Sequence, residues 1–162
     1  MRRKTPIRRR QSGLTLVELI VAFTIMMLLT SLALPLARFK VRREKERELR
    51  YSLRELRTAI DKYKDLCDKG TFGPNAGKLG TDCYPETLDQ MVEGVKIAND
   101  ANGKKIRFLR RVPRDPFTNS KDWGMRSTTD DPKSTGWGGQ NVFDVFTKTM
   151  EKAPDGTSYS DW

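Results

Sequence analysis

The chain has 162 residues, a formal net charge of +10 and no histidine. That length holds one small domain beside any membrane segment, and the missing histidine excludes Ser-His-Asp and Cys-His catalysis and removes the commonest transition-metal ligand. Residues 1–13 carry six basic and no acidic groups, residues 38–66 carry eleven basic and six acidic, and residues 67–162 carry fourteen of each; basicity gathered around one apolar stretch suits membrane topology and lipid head groups, and no nucleic acid is expected as a partner.

Residues 1–13, MRRKTPIRRRQSG, form a basic leader. Residues 14–37 are a mainly apolar run, and no Lys or Arg stands between Arg10 and Arg38. At about 1.5 Å per residue a helix there reaches roughly 40 Å, enough to cross a hydrocarbon core of about 30 Å. A transmembrane helix is therefore predicted, with the leader held in the cytoplasm by its charge. Glu18 is the one carboxylate in the run, and a charge at that depth costs at least about 2.5 kcal/mol. A cleaved secretory signal with its cut at Ser31-Leu32-Ala33, or an uncleaved anchor, shares parts of this pattern. The first has an apolar core of only about 7–15 residues, and neither calls for Gly13 or Glu18.

A basic leader, Gly13, an apolar residue, Thr15-Leu16-Val17-Glu18 and a long apolar run together resemble the N-terminus of type IV pilins and type II secretion pseudopilins. The resemblance implies that a prepilin peptidase cuts between Gly13 and Leu14 and methylates the new N-terminus. Glu18 then stands where the family has its Glu, and Pro35 falls where many members bend the helix. Leu14 departs from the family's usual Phe.

Residues 38–67 continue as an amphipathic stem. Leu49, Leu53, Leu56, Ile60, Tyr63 and Cys67 recur at steps of four and three, one stripe on a helix. Pro35, the only breaker, predicts a bend and not an end. The stripe is expected to pack on the chain's own domain; a coiled coil is the alternative, and about three heptads are few for one. The helix should stop near Asp68-Lys69-Gly70.

Residues 68–162 are predicted to form the globular domain. The Gly-rich stretch 68–83 reads as a loop. Cys67 and Cys83 flank it; in an oxidising compartment they can form one disulfide contributing about 3 kcal/mol, and in the cytosol they stay thiols. A short helix is predicted over 85–98, from Leu88, Met91, Val92 and Val95 on one face, followed by a turn over 99–103. Pro113 and Pro116 force extended backbone before them, with Asp115 able to bond a turn amide and Phe117 an apolar anchor. Asp122–Ser127 and Asn141–Thr147 read as strands, with Val142, Phe143, Val145 and Phe146 offering apolar contacts.

Tyr84-Pro85, the helix, Leu109-Arg110-Arg111-Val112-Pro113-Arg114-Asp115-Pro116-Phe117 and the tail Ala153–Trp162 follow in an order similar to that of major type II pseudopilins. That resemblance implies an α+β, pilin-like fold: a long N-terminal helix, transmembrane in its first half and amphipathic in its second, packed on a small antiparallel sheet. It implies a structural subunit without catalysis, anchored in the inner membrane with its C-terminal domain in the periplasm. The subunit would polymerise with itself into a periplasmic fibre. Its partners would be the prepilin peptidase, the inner-membrane secretion platform, minor pseudopilins and membrane lipid. A type IV pilin for adhesion, twitching or DNA uptake is the nearest alternative, and a membrane-anchored periplasmic binding protein or enzyme the one from another class. No cofactor follows from the residues. The resemblance adds a structural calcium ion at the tail, with Asp155 and Asp161 at the family's acidic positions; the competing reading is a capping turn with Tyr159 and Trp162 packed back on the sheet.

Overall fold

The structure, a computed structural model, describes residues 13, 15–73, 80–98 and 103–162, apart from the side chains of residues 32–36. Helix α1 spans Leu16–Asp68, and the chain divides into two compact units between Arg42 and Arg43. Within the first unit the described apolar side chains stand open on every side of the helix, Leu16, Ile20, Phe23 and Met27 among them. Among the described residues no helix is long and apolar enough to cross a membrane; Leu14 and the side chains of 32–36, which belong to the predicted span 14–37, lie outside the description. Pro35 stands within α1, so the backbone stays helical there as predicted, and its side chain is among those not described.

In the second unit the predicted stripe is the spine of the core. Leu49, Leu56 and Ile60 are fully buried, and Leu53, Tyr63 and Cys67 nearly so. Leu49, Leu53, Leu56 and Ile60 share one cluster with Met91, Leu109, Val112, Trp123, Val142, Val145 and Tyr159. Beyond it Tyr63, Cys67 and Phe72 form a second cluster, joined by Val95, Ile106 and Phe108. Tyr63 stands 5.3 Å from the Phe72 ring and 5.4 Å from that of Phe108. Burial raises the Tyr63 phenol above its ordinary pKa, and the nearby Glu86 adds to this. α1 ends at Asp68, one residue past Cys67, which is disulfide-bonded to Cys83 with Cα atoms 5.6 Å apart.

Helix α2 is shorter than the predicted 85–98: it runs Leu88–Glu93. Thr87 caps it, its side chain accepting the Gln90 N–H, and Gly94 at φ 83° ends it. A Cβ on Gly94 would meet the Ile106 carbonyl oxygen at 2.7 Å. The missing side chain thus lets the chain turn out of the helix and lie against the strand that follows. Val95, assigned to the helix from its spacing, belongs instead to β1 (Val95–Lys96), which pairs antiparallel with β2 (Lys105–Ile106). Most of the predicted turn over 99–103 lies outside the described residues.

The two predicted strands are present as β3 (Gly124–Arg126) and β4 (Asp144–Phe146), antiparallel, with Met125 opposite Val145. They are shorter than predicted: the Phe143 N–H still donates to Arg126 O at 2.8 Å, but one residue further out the Val142 N–H donates to Pro85 O at 2.8 Å and leaves the ladder. The predicted α+β arrangement, a long helix packed on small antiparallel sheet, is present, and among the described residues the strands form two two-stranded ladders. Val142, Val145 and Phe146 are buried, while Phe143 is 48% exposed and makes its apolar contact edge-on with Tyr84. Gly124 lies beneath the Phe146 ring, where a Cβ would come within 2.3 Å of it.

Two substitutions probe this packing. Leu56→Ala empties a fully buried position on α1 and should lower stability by about 2–5 kcal/mol. Gly124→Ala should displace Phe146 and cost about 1–3 kcal/mol. Urea unfolding of the full chain in detergent, followed by tryptophan fluorescence, reads both.

Candidate functional site

The head of α1 is built by one short motif. Thr15 precedes the helix, and its Oγ1 accepts the Glu18 N–H at 3.3 Å, while its carbonyl accepts the Leu19 N–H at 3.1 Å. Thr15-x-x-Glu18 is thus the spacing of a capping box, with the acid in the first turn where the helix dipole favours negative charge. Sequence reading treated Glu18 as a lone carboxylate and passed over Thr15; the T-x-x-E spacing was the signal. Gly13 is exposed, and a Cβ there would meet nothing within 4 Å. Leu14, on the other side of the predicted cut, lies outside the described residues.

Further along the helix the hydroxyl groups are turned inward on the backbone. Thr24 Oγ1–H donates to Val21 O, Thr30 to Met26 O and Ser31 to Leu28 O, each at 2.8 Å. A helix whose hydroxyls satisfy themselves can enter an apolar setting without stranding a donor. Its exposed Leu, Ile, Phe and Met side chains would be poorly placed in water.

At the other end of the chain a carboxylate sits between two guanidinium groups. Arg57 Nε–H donates to Asp144 Oδ1 at 2.7 Å, and its Nη2 donates to Val145 O and to Trp162 O, at 3.2 and 2.7 Å. Arg126 Nη1 reaches Asp144 Oδ2 at 3.4 Å, and its Nε–H donates to Ser134 O at 2.8 Å. Arg126 Nη2 also reaches Ser160 O at 3.4 Å, and its guanidinium lies 4.1 Å from the centre of the Phe146 ring. One clamp therefore ties α1, β3, β4, the 127–143 loop and the tail.

The tail carries its own contacts. Asp155 Oδ1 accepts both the N–H and the Oγ1–H of Thr157, at 2.9 and 2.7 Å. Tyr159, in a 3-10 turn over Tyr159–Asp161, stacks on Phe117 at 4.3 Å and meets Trp162 edge-on at 4.8 Å. Its hydroxyl donates to Glu46 Oε1 at 2.7 Å. Asp115, which sequence reading gave one turn amide, is 1% exposed and does more: it accepts the Phe117 N–H at 2.8 Å and the Thr147 hydroxyl.

Calcium wants six to eight oxygens at about 2.3–2.6 Å. Here Asp155 is committed to Thr157, and the Ser160 and Trp162 carbonyls already face guanidinium groups. Asp161 stands exposed on the 3-10 turn. Among the described residues no three acidic, histidine or cysteine side chains gather where an ion could sit. Asp155 and Asp161 lie on a turn beside which Tyr159 and Trp162 pack edge to face.

Residues 8–34 match the model of the prokaryotic N-terminal methylation motif. The match takes in Gly13, Leu14 and Glu18 and supports the pilin-like class of proteins processed by a prepilin peptidase. No curated protein and no solved structure matches the chain.

The clamp predicts that Asp144→Ala, which leaves the nearly buried Arg126 without its carboxylate, lowers stability by about 3 kcal/mol, near the low end for a broken buried pair because Arg57 is reached by water. Calcium or a chelator should leave the melting temperature unmoved. Hydrogen bonds from Thr157 hold the Asp155 carboxyl below the usual carboxylate range, and the Ser127 and Gly138 amides do the same for Asp130. A depressed carboxylate contributes above its unfolded pKa and is lost as pH falls through its folded one. Carboxyl NMR titration should find both groups more than half ionised at pH 3.8, the ordinary value for an aspartate.

Proposed function

We propose that this chain is a structural subunit of a pseudopilus for type II protein secretion, cut between Gly13 and Leu14, methylated at the new terminus and polymerised through the head of α1. The observation that carries the reading is the methylation motif over residues 8–34, placed on a helix whose apolar side chains stand open. The motif points to a structural subunit and to a membrane-anchored N-terminus. It serves pilins and pseudopilins alike. The order Tyr84-Pro85, a short helix, Leu109 to Phe117 and the Asp-Gly tail is what favours the pseudopilin.

In this reading the leader faces the cytoplasm and the second unit the periplasm, where the Cys67–Cys83 disulfide suits an oxidising compartment. The prepilin peptidase, the inner-membrane secretion platform and minor pseudopilins are the implied partners. Glu18 acts through charge. Cleavage creates an α-amino group at Leu14 with a pKa near about 8, so it is largely protonated at neutral pH. As a subunit docks, its amino group can meet the Glu18 of a neighbour. A buried pair adds little over apolar packing, whereas an unpaired charge is costly, so Glu18 penalises wrong register.

Gly13→Leu should leave the leader attached, read on an immunoblot as a single unshifted band. Glu18→Gln keeps a side-chain acceptor for the capping box but removes the charge; it should be inserted and cleaved, yet give sheared fibres in yields about tenfold lower or worse. Wild-type yield from Glu18→Gln would end the register role while leaving the processing intact.

A further inference from the structure

α1 begins at Leu16, and Gly13 lies before it, exposed and outside the helix. The change of state falls on Thr15. Its Oγ1 accepts the Glu18 N–H at 3.3 Å, and its carbonyl accepts the Leu19 N–H at 3.1 Å. The side chain thus satisfies one of the open amides of the first turn while the carbonyl makes the first helical bond. An N-cap residue has non-helical backbone, so the helix starts after it and does not run on toward the leader. The Gly13–Leu14 bond stands just ahead of that point in sequence.

Where the helix starts matters to a peptidase, which must reach the Gly13 carbonyl. In a helix that ran into the leader, Gly13 O would accept the Val17 N–H, four residues on. The bond would then have to be unwound before attack. The sequence offers such a start. Ser12 is the nearest upstream residue of cap-forming type, and a helix capped there would hold residues 13–15 in its first turn. Gly13 opposes that start through its low helix propensity, and Arg8, Arg9 and Arg10 through their charge at the positive end of the dipole. Thr15 opposes it by fixing the start three residues later. The independent sign that this point is acted on is the methylation motif, whose residues 8–34 span it.

We infer that Thr15 is a positioning residue for leader cleavage: by capping α1 it holds the Gly13–Leu14 bond outside the helix, where a prepilin peptidase takes it as open chain. The inference deepens the prepilin reading and rests on it. Thr15 does not touch the reacting atoms in this role; it sets the fraction of chains ready to be cut. A substrate that is ready only in part loses apparent affinity in proportion, with turnover at saturation unchanged.

Cleavage of the purified full-length precursor by a prepilin peptidase in detergent, followed on immunoblots over a range of precursor concentrations, tests it. A lost cap shifts the balance between the two starts by about two- to thirtyfold. Thr15→Ala should therefore raise KM several-fold at unchanged kcat, and so should Thr15→Val, which keeps the shape and removes the acceptor. Thr15→Ser and Thr15→Asn keep an acceptor in different shapes and should be cut like the wild type. Wild-type kinetics from Thr15→Val overturn the inference, as does a Thr15→Asn variant as slow as Thr15→Ala, because either shows that the peptidase reads the shape of the side chain. A fall in kcat with KM unchanged overturns it too, since Thr15 would then act in the chemical step. The Gly13 Cα chemical shift in the uncut precursor gives a second readout: it should move toward helical values in Thr15→Ala and Thr15→Val, and a shift that stays at the wild-type value in both contradicts the cap. A wild-type precursor that is never cut sinks the prepilin reading itself, a result distinct from all of these.

Discussion

The folded part of this protein depends on burial of one helical stripe, Leu49 to Cys67. Its ladders are only two and three residue pairs long, and a two-stranded hairpin is marginal in water on its own. Each fully buried Leu or Ile of the stripe contributes about 1.5–3 kcal/mol relative to exposure. α1 therefore holds the strands, and not the reverse. Met91, Val142 and Val145 are fully buried because they meet it, and α2, β3 and β4 take their places around that contact.

With so little ladder, the rest of the second unit is fixed by side chains. Asn141 is fully buried; its amide donates to Thr81 O and its Oδ1 accepts the Thr128 N–H. Asp130 closes the 127–138 loop by accepting the Ser127 and Gly138 amides. Arg57, Asp144 and Arg126 then join that loop, the strands and the tail to α1. Every buried side-chain nitrogen and oxygen among the described residues has a partner, as a loop-rich domain requires if its polar groups are to stay out of water.

What could be read from the sequence was what depends on local pattern. The stripe, the end of α1 and the two strands follow from spacing, and each is present. What could not be read depends on distant partners. Val95 has a helical spacing, but Gly94 and the backbone of β2 draw it into a hairpin. Which apolar residues of the last strand would be buried also depends on distant partners: Val142 is tied to Pro85, and Phe143 packs on Tyr84 and stays half-exposed. The partners of the tail carbonyls were not legible either, because the arginines that reach them lie 34 and 105 positions away in sequence, at Arg126 and Arg57. Thr15 was legible and was missed, since the capping box lay inside a motif already read as a cleavage signal.

The methylation motif, placed on the open apolar head of α1, supports the pilin-like class of chains processed by a prepilin peptidase. The intact mass of the protein extracted from membranes, fragmented to read its N-terminus, tests this most directly. The account predicts a chain beginning at Leu14, carrying one N-methyl group, with Cys67 and Cys83 joined. A chain that begins at Met1, or one cut near Leu34, would contradict it.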